Sequence, residues 1–122
     1  MAPGPSAWPR SAAGIASLYY SGVYEDAQID KGLAYLHDAA QPGKLDPSSP
    51  HYFYGHYYAA QAMYLAGGKH WSEWWPAVRT ELLNRQQADG SWQDQGVGEV
   101  YGTSMALIVL QMPKRYLPIF QK

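Results

Sequence analysis

Hydrophobic and polar positions along the chain define two kinds of predicted helix. Residues 11–22, 57–68 and 101–110 are small or apolar on nearly every side, which is typical of a helix buried all round. Residues 29–40 and 76–87 are amphipathic, with apolar positions at helical spacing. The pattern predicts an all-α protein of about five long helices. We call the first kind inner helices and the second kind outer helices.

Apolar stripes predict the two outer helices. The stripe of the first is Ile29, Leu33, Leu36 and Ala40, and that of the second is Val78, Leu82 and Leu83. Residues expected to face water beside the second stripe are Arg79, Glu81, Asn84 and Arg85.

Residues that start or stop helices frame these segments. Gly22 and the pair 67–68 are placed to end the first two inner helices, and Pro113 closes the last. Pro76 suits the first turn of the second outer helix, and the acids at 25–26 are expected to cap the first. Between the helices, nothing alternates strictly enough to predict a strand.

The inner segments recur with a period of roughly 45 residues, in the range of helical repeats. We predict a linker over residues 1–8 and one repeat domain over 9–122. Within it the repeats fall roughly at 9–45, 53–92 and 101–120.

A corner follows the second outer helix, in the run Gln86-Gln87-Ala88-Asp89-Gly90-Ser91-Trp92. Asp-Gly favours a tight turn, after which the indole of Trp92 can fold back over the helix end. The residues predicted to hold this corner are Gln86, Gln87, Gly90 and Trp92. The corresponding stretch 40–45 keeps Gln and Gly but has no Trp, so we expect a looser corner there.

With the repeated segment 57–68 and the run 74–77, this corner resembles the prenyltransferase and squalene-oxidase repeat proteins, over residues 8 to 118. These belong to the terpenoid-cyclase and protein-prenyltransferase superfamily, in which the corner is called the QW motif. The resemblance implies a partial α/α toroid with inner and outer helical layers. It also implies that the corner is structural, since its Gln and Trp secure helix ends in that superfamily.

Chemistry known in that superfamily is missing from this sequence. No Asp-x-Asp-Asp acid is present, and without cysteine the chain lacks the Asp, Cys and His zinc set of the prenyltransferases. His51 and His56 stand five residues apart, and a metal there would need a carboxylate from elsewhere, such as Glu99 or Asp94. We therefore predict no catalytic residues, no metal and no cofactor, and lean against an enzyme.

Composition limits the classes of partner that this chain is expected to bind. Nine basic residues nearly balance ten acidic ones, which argues against nucleic acid as a partner. No apolar run is long enough to span a membrane, and residues 1–6 do not read as a signal peptide. We expect a soluble chain and assign no compartment. The chain has eleven tyrosines and five tryptophans. These rings carry one polar group each, so they favour partly solvated surfaces such as a cavity wall or an interface.

The loops 41–55 and 88–100 each run from an outer to an inner helix, so we expect them to meet at one end of the molecule. The candidate ligand-binding residues there are His51, Tyr54, His56, Glu99 and Tyr101. The expected ligand is a small apolar or hydroxylated molecule.

We favour a noncatalytic repeat module for binding or assembly, part of or derived from a larger squalene-cyclase-like repeat protein. One alternative is a cyclase-like enzyme or isoprenoid binder. The other is a carbohydrate-binding or carbohydrate-processing toroid, for which Asp94 and Glu99 are the nearest carboxylate pair. About two and a half helix pairs leave both end helices unpaired, so we expect a homo-oligomer, a dimer rather than a trimer. The flank residues needing cover are Ile15, Leu18, Met105, Leu107, Ile108 and Leu110.

Overall fold

The computed structural model describes residues 7–45 and 51–114. It contains five α-helices and a closing 3₁₀ turn at Met112–Lys114. The helices are α1 (Ala7–Tyr20), α2 (Ala27–Ala39), α3 (Tyr52–Ala66), α4 (Gly68–Arg85) and α5 (Glu99–Gln111). Within the described ranges the only β pairing is one isolated bridge between Asp94 and Gly98. The prediction of an all-α protein with five long helices is confirmed.

Helix α3 occupies the centre of the molecule. It packs against each of the other four helices, with α1 and α5 as its neighbours among the predicted inner helices. Ten of its fifteen residues are buried, which explains why its sequence shows no single apolar face. Helix α2 packs on α1 and α3, while α4 packs on α3. The inner helices thus form a row, α1–α3–α5, with the outer helices α2 and α4 packed against it.

Close packing of α1 on α3 depends on Trp8 and Gly55. A side chain at Gly55 would meet the Trp8 ring, since a Cβ built there lies 2.3 Å from the ring. Trp8 is only 4% exposed and belongs to α1, which begins at Ala7. The helix therefore starts inside the stretch 1–8 predicted as linker.

Helix α2 follows its predicted pattern. Ile29, Leu33 and Leu36 are buried, and Asp26 caps the first turn by accepting a hydrogen bond from the backbone N–H of Gln28 at 2.7 Å. The acidic residue before this helix is thus a cap, as its position indicated.

Helix α4 differs from its prediction in where it begins. Gly67 and Gly68 have φ angles of 70° and 52°, so the chain reverses at this pair and α4 starts without an intervening loop. Pro76, expected in the first turn, therefore lies inside the helix. The proline forgoes one intrahelical hydrogen bond. Pro76 is exposed, so its ring lies outside the core.

The buried face of α4 also differs from the predicted stripe. Trp74, Val78, Glu81 and Leu82 are buried, whereas Leu83, expected in the stripe, is 47% exposed. Glu81, expected to face water, is 8% exposed because it accepts hydrogen bonds from Arg85 and from the backbone N–H of Gly43. Glu81 therefore fastens the first corner, which lacks a tryptophan, to α4.

Trp92 anchors the second corner. Its ring is 2% exposed, and its Nε1–H donates to the carbonyl of Leu82 at 2.7 Å. That carbonyl belongs to the last turn of α4, where carbonyls lack intrahelical partners. The Gln86 amide donates to the Gly90 carbonyl at 2.8 Å, and the Gln87 N–H donates to the Ser91 carbonyl at 2.8 Å. Gly90 has a φ of 93°, as the predicted tight turn requires.

The two flanking inner helices are better covered than predicted. Ile15 is buried, with its side chain against Gly32 of α2. Met105, Ile108 and Leu110 are partly buried against the core. Among the six flank residues, the exposed ones are Leu18 (36%) and Leu107 (42%). No helix in the described ranges is long and apolar enough to cross a membrane.

Candidate functional site

An open cleft of about 580 Å³ lies where the start of α3 meets the segment between α4 and α5. Its lining from the start of α3 is His51, Tyr52, Phe53 and Tyr54. Its lining from α4, the corner and the following loop is Arg85, Gln87, Trp92, Gln93, Asp94, Gln95, Gly96 and Val97, and α5 adds Tyr101. The two loops expected at one end of the molecule therefore do converge.

The cleft has an aromatic floor and a polar rim. Tyr52, Phe53 and Trp92 are buried, and they form the floor. The rim is formed by exposed or half-exposed side chains that can donate and accept hydrogen bonds: His51, Tyr54, Gln87, Gln93, Gln95 and Tyr101. A molecule in the cleft would meet aromatic side chains below and amide or hydroxyl groups around it.

Three of the five predicted ligand-binding residues line this cleft, namely His51, Tyr54 and Tyr101. Glu99 is exposed in the first turn of α5, outside the lining. His56 lies inside α3, is 1% exposed, and packs against the rings of Trp8 and Tyr52. The structure thus does not bring Glu99 or His56 into the cleft.

His51 has an unusual backbone. It is the only non-glycine residue in the described ranges with a positive φ, at 59°, and it immediately precedes α3. Left-handed backbone costs a non-glycine residue on the order of 1 kcal/mol, and such residues concentrate at functional sites. The exposed imidazole faces Tyr54, with 6.2 Å between ring centroids.

A cluster of tyrosines extends from the cleft across the inner helices; we call it the tyrosine face. It consists of Tyr20, Tyr54, Tyr57, Tyr58 and Tyr101. Burial raises the pKa of Tyr101, and the charges of Asp94 and the neighbouring phenols add to it. Burial also raises the pKa of Tyr20 to about 12, helped by two of these phenols. Tyr20 and Tyr101 therefore stay neutral, as hydrogen-bond donors and acceptors, at physiological pH.

One side of the tyrosine face is fixed by Gln61. The Tyr20 hydroxyl donates to Oε1 of Gln61 at 2.6 Å, and Nε2 of Gln61 donates to the Tyr57 carbonyl at 3.0 Å. This buried amide links α1 to α3 and sets the position of the Tyr20 ring.

Arg85 forms the charged part of the cleft wall. Its guanidinium lies 4.0 Å from the centre of the Tyr52 ring and forms an ion pair with Glu81 at 2.9 Å. It also donates to the Leu45 carbonyl at 3.4 Å. Burial, followed by the Glu81 charge, raises the pKa of the Tyr52 hydroxyl, so this phenol stays protonated. The guanidinium is thus held rigidly at the wall.

Asp94 shapes the loop that edges the cleft. Its Oδ2 accepts hydrogen bonds from the backbone N–H groups of Gly96 at 3.0 Å and Val97 at 2.8 Å. The carboxylate is 7% exposed. Because its Oδ2 accepts hydrogen bonds from its own loop, Asp94 is a structural residue. Asp94 and Glu99 do not form a carboxylate pair across the cleft.

Several residues that build the cleft were not predicted. Gly102 lets the Trp92 segment approach α5, since a Cβ built there lies 2.5 Å from the Trp92 carbonyl oxygen. Next to it, Thr103 Oγ1 accepts a hydrogen bond from the Trp92 N–H at 2.9 Å. The repeated dipeptide Tyr54-Gly55 and Tyr101-Gly102 was the available signal, because both glycines accept a close neighbour. For the burial of Glu81, the available signal was the helical spacing of this residue from Trp74 and Val78.

Within residues 7–45 and 51–114, no three His, Asp or Glu side chains are grouped closely enough to share a metal ion. Comparison with protein-family models, with curated proteins and with solved structures finds no significant match to this chain.

Proposed function

We propose that this chain is a noncatalytic helical-repeat module of the α/α-toroid type that binds a small hydroxylated ligand, such as a sugar, in the cleft. The observation that carries the proposal is the cleft itself, with its buried aromatic floor and its rim of amides, phenols and one imidazole. Its volume of about 580 Å³ is within the usual range for small-molecule sites.

Side-chain chemistry favours a hydroxylated ligand over a purely apolar one. An isoprenoid offers no partners for the rim amides, so burying them against it would cost free energy. A sugar presents C–H faces that pack on rings and hydroxyls that exchange hydrogen bonds with Gln and Tyr side chains. The tyrosine face continues this surface beyond the cleft and suits a ligand of more than one sugar unit.

Binding without catalysis is supported by the state of the buried acids. Glu81 and Asp94 are the buried carboxyl groups of the described residues, and both accept hydrogen bonds from N–H donors. Both carboxylates are thus engaged by groups of the fold itself, so neither is available to act as the acid of a cyclase. Nor do two carboxylates flank the cleft within residues 7–45 and 51–114, as glycoside hydrolysis requires.

A titration tests this function. We expect disaccharides, added to the ¹⁵N-labelled protein, to shift the amide signals of His51, Tyr54 and Tyr101. Tyr101→Ala should weaken binding about tenfold or more, equivalent to ~1.4 kcal/mol. The matched control is Tyr35→Ala, which removes a half-buried tyrosine of α2 outside the cleft.

Two outcomes contradict the proposal. One is a shift pattern confined to the outer faces around Asp30, Lys31 and Arg79. The other is tight binding of a squalene analogue with no response to any disaccharide, which would favour the isoprenoid alternative.

A further inference from the structure

We propose that His37 and His70 form a two-histidine site for a divalent transition-metal ion that joins α2 to α4. His37 lies in the last turn of α2, and His70 is the third residue of α4. Nε2 of His37 and Nδ1 of His70 are 3.0 Å apart. This site is outside the ligand cleft and goes beyond the proposed binding function.

The separation of the two nitrogens fits one shared ion. Imidazole nitrogens bind zinc at about 2.0–2.1 Å, so an ion bound to both, 3.0 Å apart, would see them at an angle of about 95°. This is close to the right angle between neighbouring ligands in octahedral and square-planar coordination. The ring planes differ by 30° and the ring centroids are 5.2 Å apart, so each ring has to turn about its side-chain torsions to point its lone pair at a shared ion.

Proton chemistry explains why an ion suits this pair. Two neutral imidazoles facing each other through these nitrogens share one N–H, which donates to the lone pair of the other ring. A metal ion replaces that proton once the donor ring moves its hydrogen to its other nitrogen. Once the rings have turned towards the ion, both lone pairs face a positive charge, and both histidines keep their positions on α2 and α4.

The surroundings leave room for the remaining ligands. Beside the pair is an open recess of about 210 Å³ to which His37, Glu73 and Trp74 contribute. Glu73 lies three residues after His70, on the same side of α4, and lines this recess. Because the described residues provide no third protein ligand at bonding distance, water completes the coordination.

The ligand type sets the metal preference. Two imidazoles with open water positions suit Cu²⁺, Ni²⁺ and Zn²⁺, and their affinity should decrease from Cu²⁺ to Ni²⁺, as the Irving–Williams order requires. Mg²⁺ and Ca²⁺ prefer oxygen ligands and should not compete. Since the histidines come from different helices, a bound ion cross-links α2 to α4 and stabilises the folded chain.

The test uses the full chain without a histidine tag, titrated with ZnCl₂, NiCl₂ or CuSO₄ while the thermal midpoint is measured. We expect each metal to raise the midpoint and MgCl₂ to leave it unchanged. Long-range ¹H–¹⁵N spectra should show Zn²⁺ on Nε2 of His37 and Nδ1 of His70. His37→Asn or His70→Asn should weaken binding by more than the roughly 10–100-fold typical of losing a second-shell partner.

His51→Asn is the matched control, because it removes an exposed histidine outside the pair and should keep the full metal response. An unchanged midpoint with all three metals would overturn the site. So would a response that persists in the His37→Asn and His70→Asn double variant, since it would mean adventitious binding elsewhere. If a single variant folds poorly, the ¹⁵N spectra of the parent chain still decide which nitrogens bind the ion.

Discussion

His56 is a neutral histidine built into the core. Its Nδ1–H donates to the Tyr52 carbonyl at 2.8 Å, while Nε2 is buried without a hydrogen-bond partner. Burial lowers its pKa; the Tyr52 carbonyl and the Glu81 charge oppose this shift, and Arg85 adds to it. The ring is therefore packed in the core as a neutral side chain.

This residue should make the protein sensitive to mild acid. Unfolded histidine titrates near pH 6.5, whereas folded His56 takes up its proton only at lower pH. Below about pH 6.5 the unfolded chain binds more protons, so the free energy of unfolding should fall as the pH falls towards the folded pKa. Urea unfolding at pH 7 and pH 5 should show a smaller loss for His56→Leu than for the parent.

His51→Asn provides the control for acid sensitivity. This histidine is exposed, so the variant removes one imidazole without altering the buried surroundings of His56. Asparagine tolerates the left-handed backbone at this position, so the variant should also be at least as stable as the parent at pH 7. Equal acid losses in the parent and His56→Leu would contradict the role of His56.

At the residue scale, features set by neighbouring residues could be predicted from the sequence, whereas contacts between distant residues could not. The cap of Asp26 and the turn at Gly90 depend on neighbours within a few residues, and both were predicted from the sequence. The approach of His37 to His70 joins residues 33 apart on different helices. Sequence spacing cannot identify such a pair, because the contact depends on how α2 and α4 pack.

Among the elements, α5 depends on the missing side chain of Gly102 for its packing. Gly102→Ala would place a Cβ 2.5 Å from the Trp92 carbonyl oxygen and 2.9 Å from the Asp94 backbone nitrogen. Backbone cannot yield as a flexible side chain can, so we expect a loss of about 1–3 kcal/mol in the free energy of unfolding. Urea denaturation measures this change, and amide signals of the cleft loop should shift with it.

Gly14→Ala is the matched control, because a Cβ at this glycine of α1 meets nothing within 4 Å. Alanine favours the helix and restricts the unfolded chain, so this variant should gain about 0.4–1 kcal/mol. If both variants change stability in the same direction, close packing at Gly102 is not the reason for its glycine.

Element types were easier to predict than element starts. The apolar stripe of α2 and the small residues of α3 identify both helices, since periodicity extends over several turns. The start of α4 was predicted at Pro76 because proline favours a first turn. The glycine pair 67–68 instead lets the helix begin eight residues earlier, and an exposed interior proline is tolerated.

At the scale of the whole molecule, self-association remains a prediction. Val100 is 81% exposed and Leu107 is 42% exposed. Together they form an apolar stripe on the side of α5 away from the core. We expect sedimentation at micromolar concentration to show a dimer rather than a species of 13.6 kDa. Leu107→Glu should shift the population towards the monomer, and a monomeric parent chain would contradict the prediction.

The central place of α3 has a consequence for how the chain folds. Because α3 packs against all four other helices, none of them reaches its full set of partners before α3 forms. We therefore expect α3 to be the folding nucleus and α5 to join it late. Ala60→Gly in α3 and Ala106→Gly in α5 are matched probes, since both alanines are fully buried. In stopped-flow measurements the first should mainly slow folding and the second mainly speed unfolding.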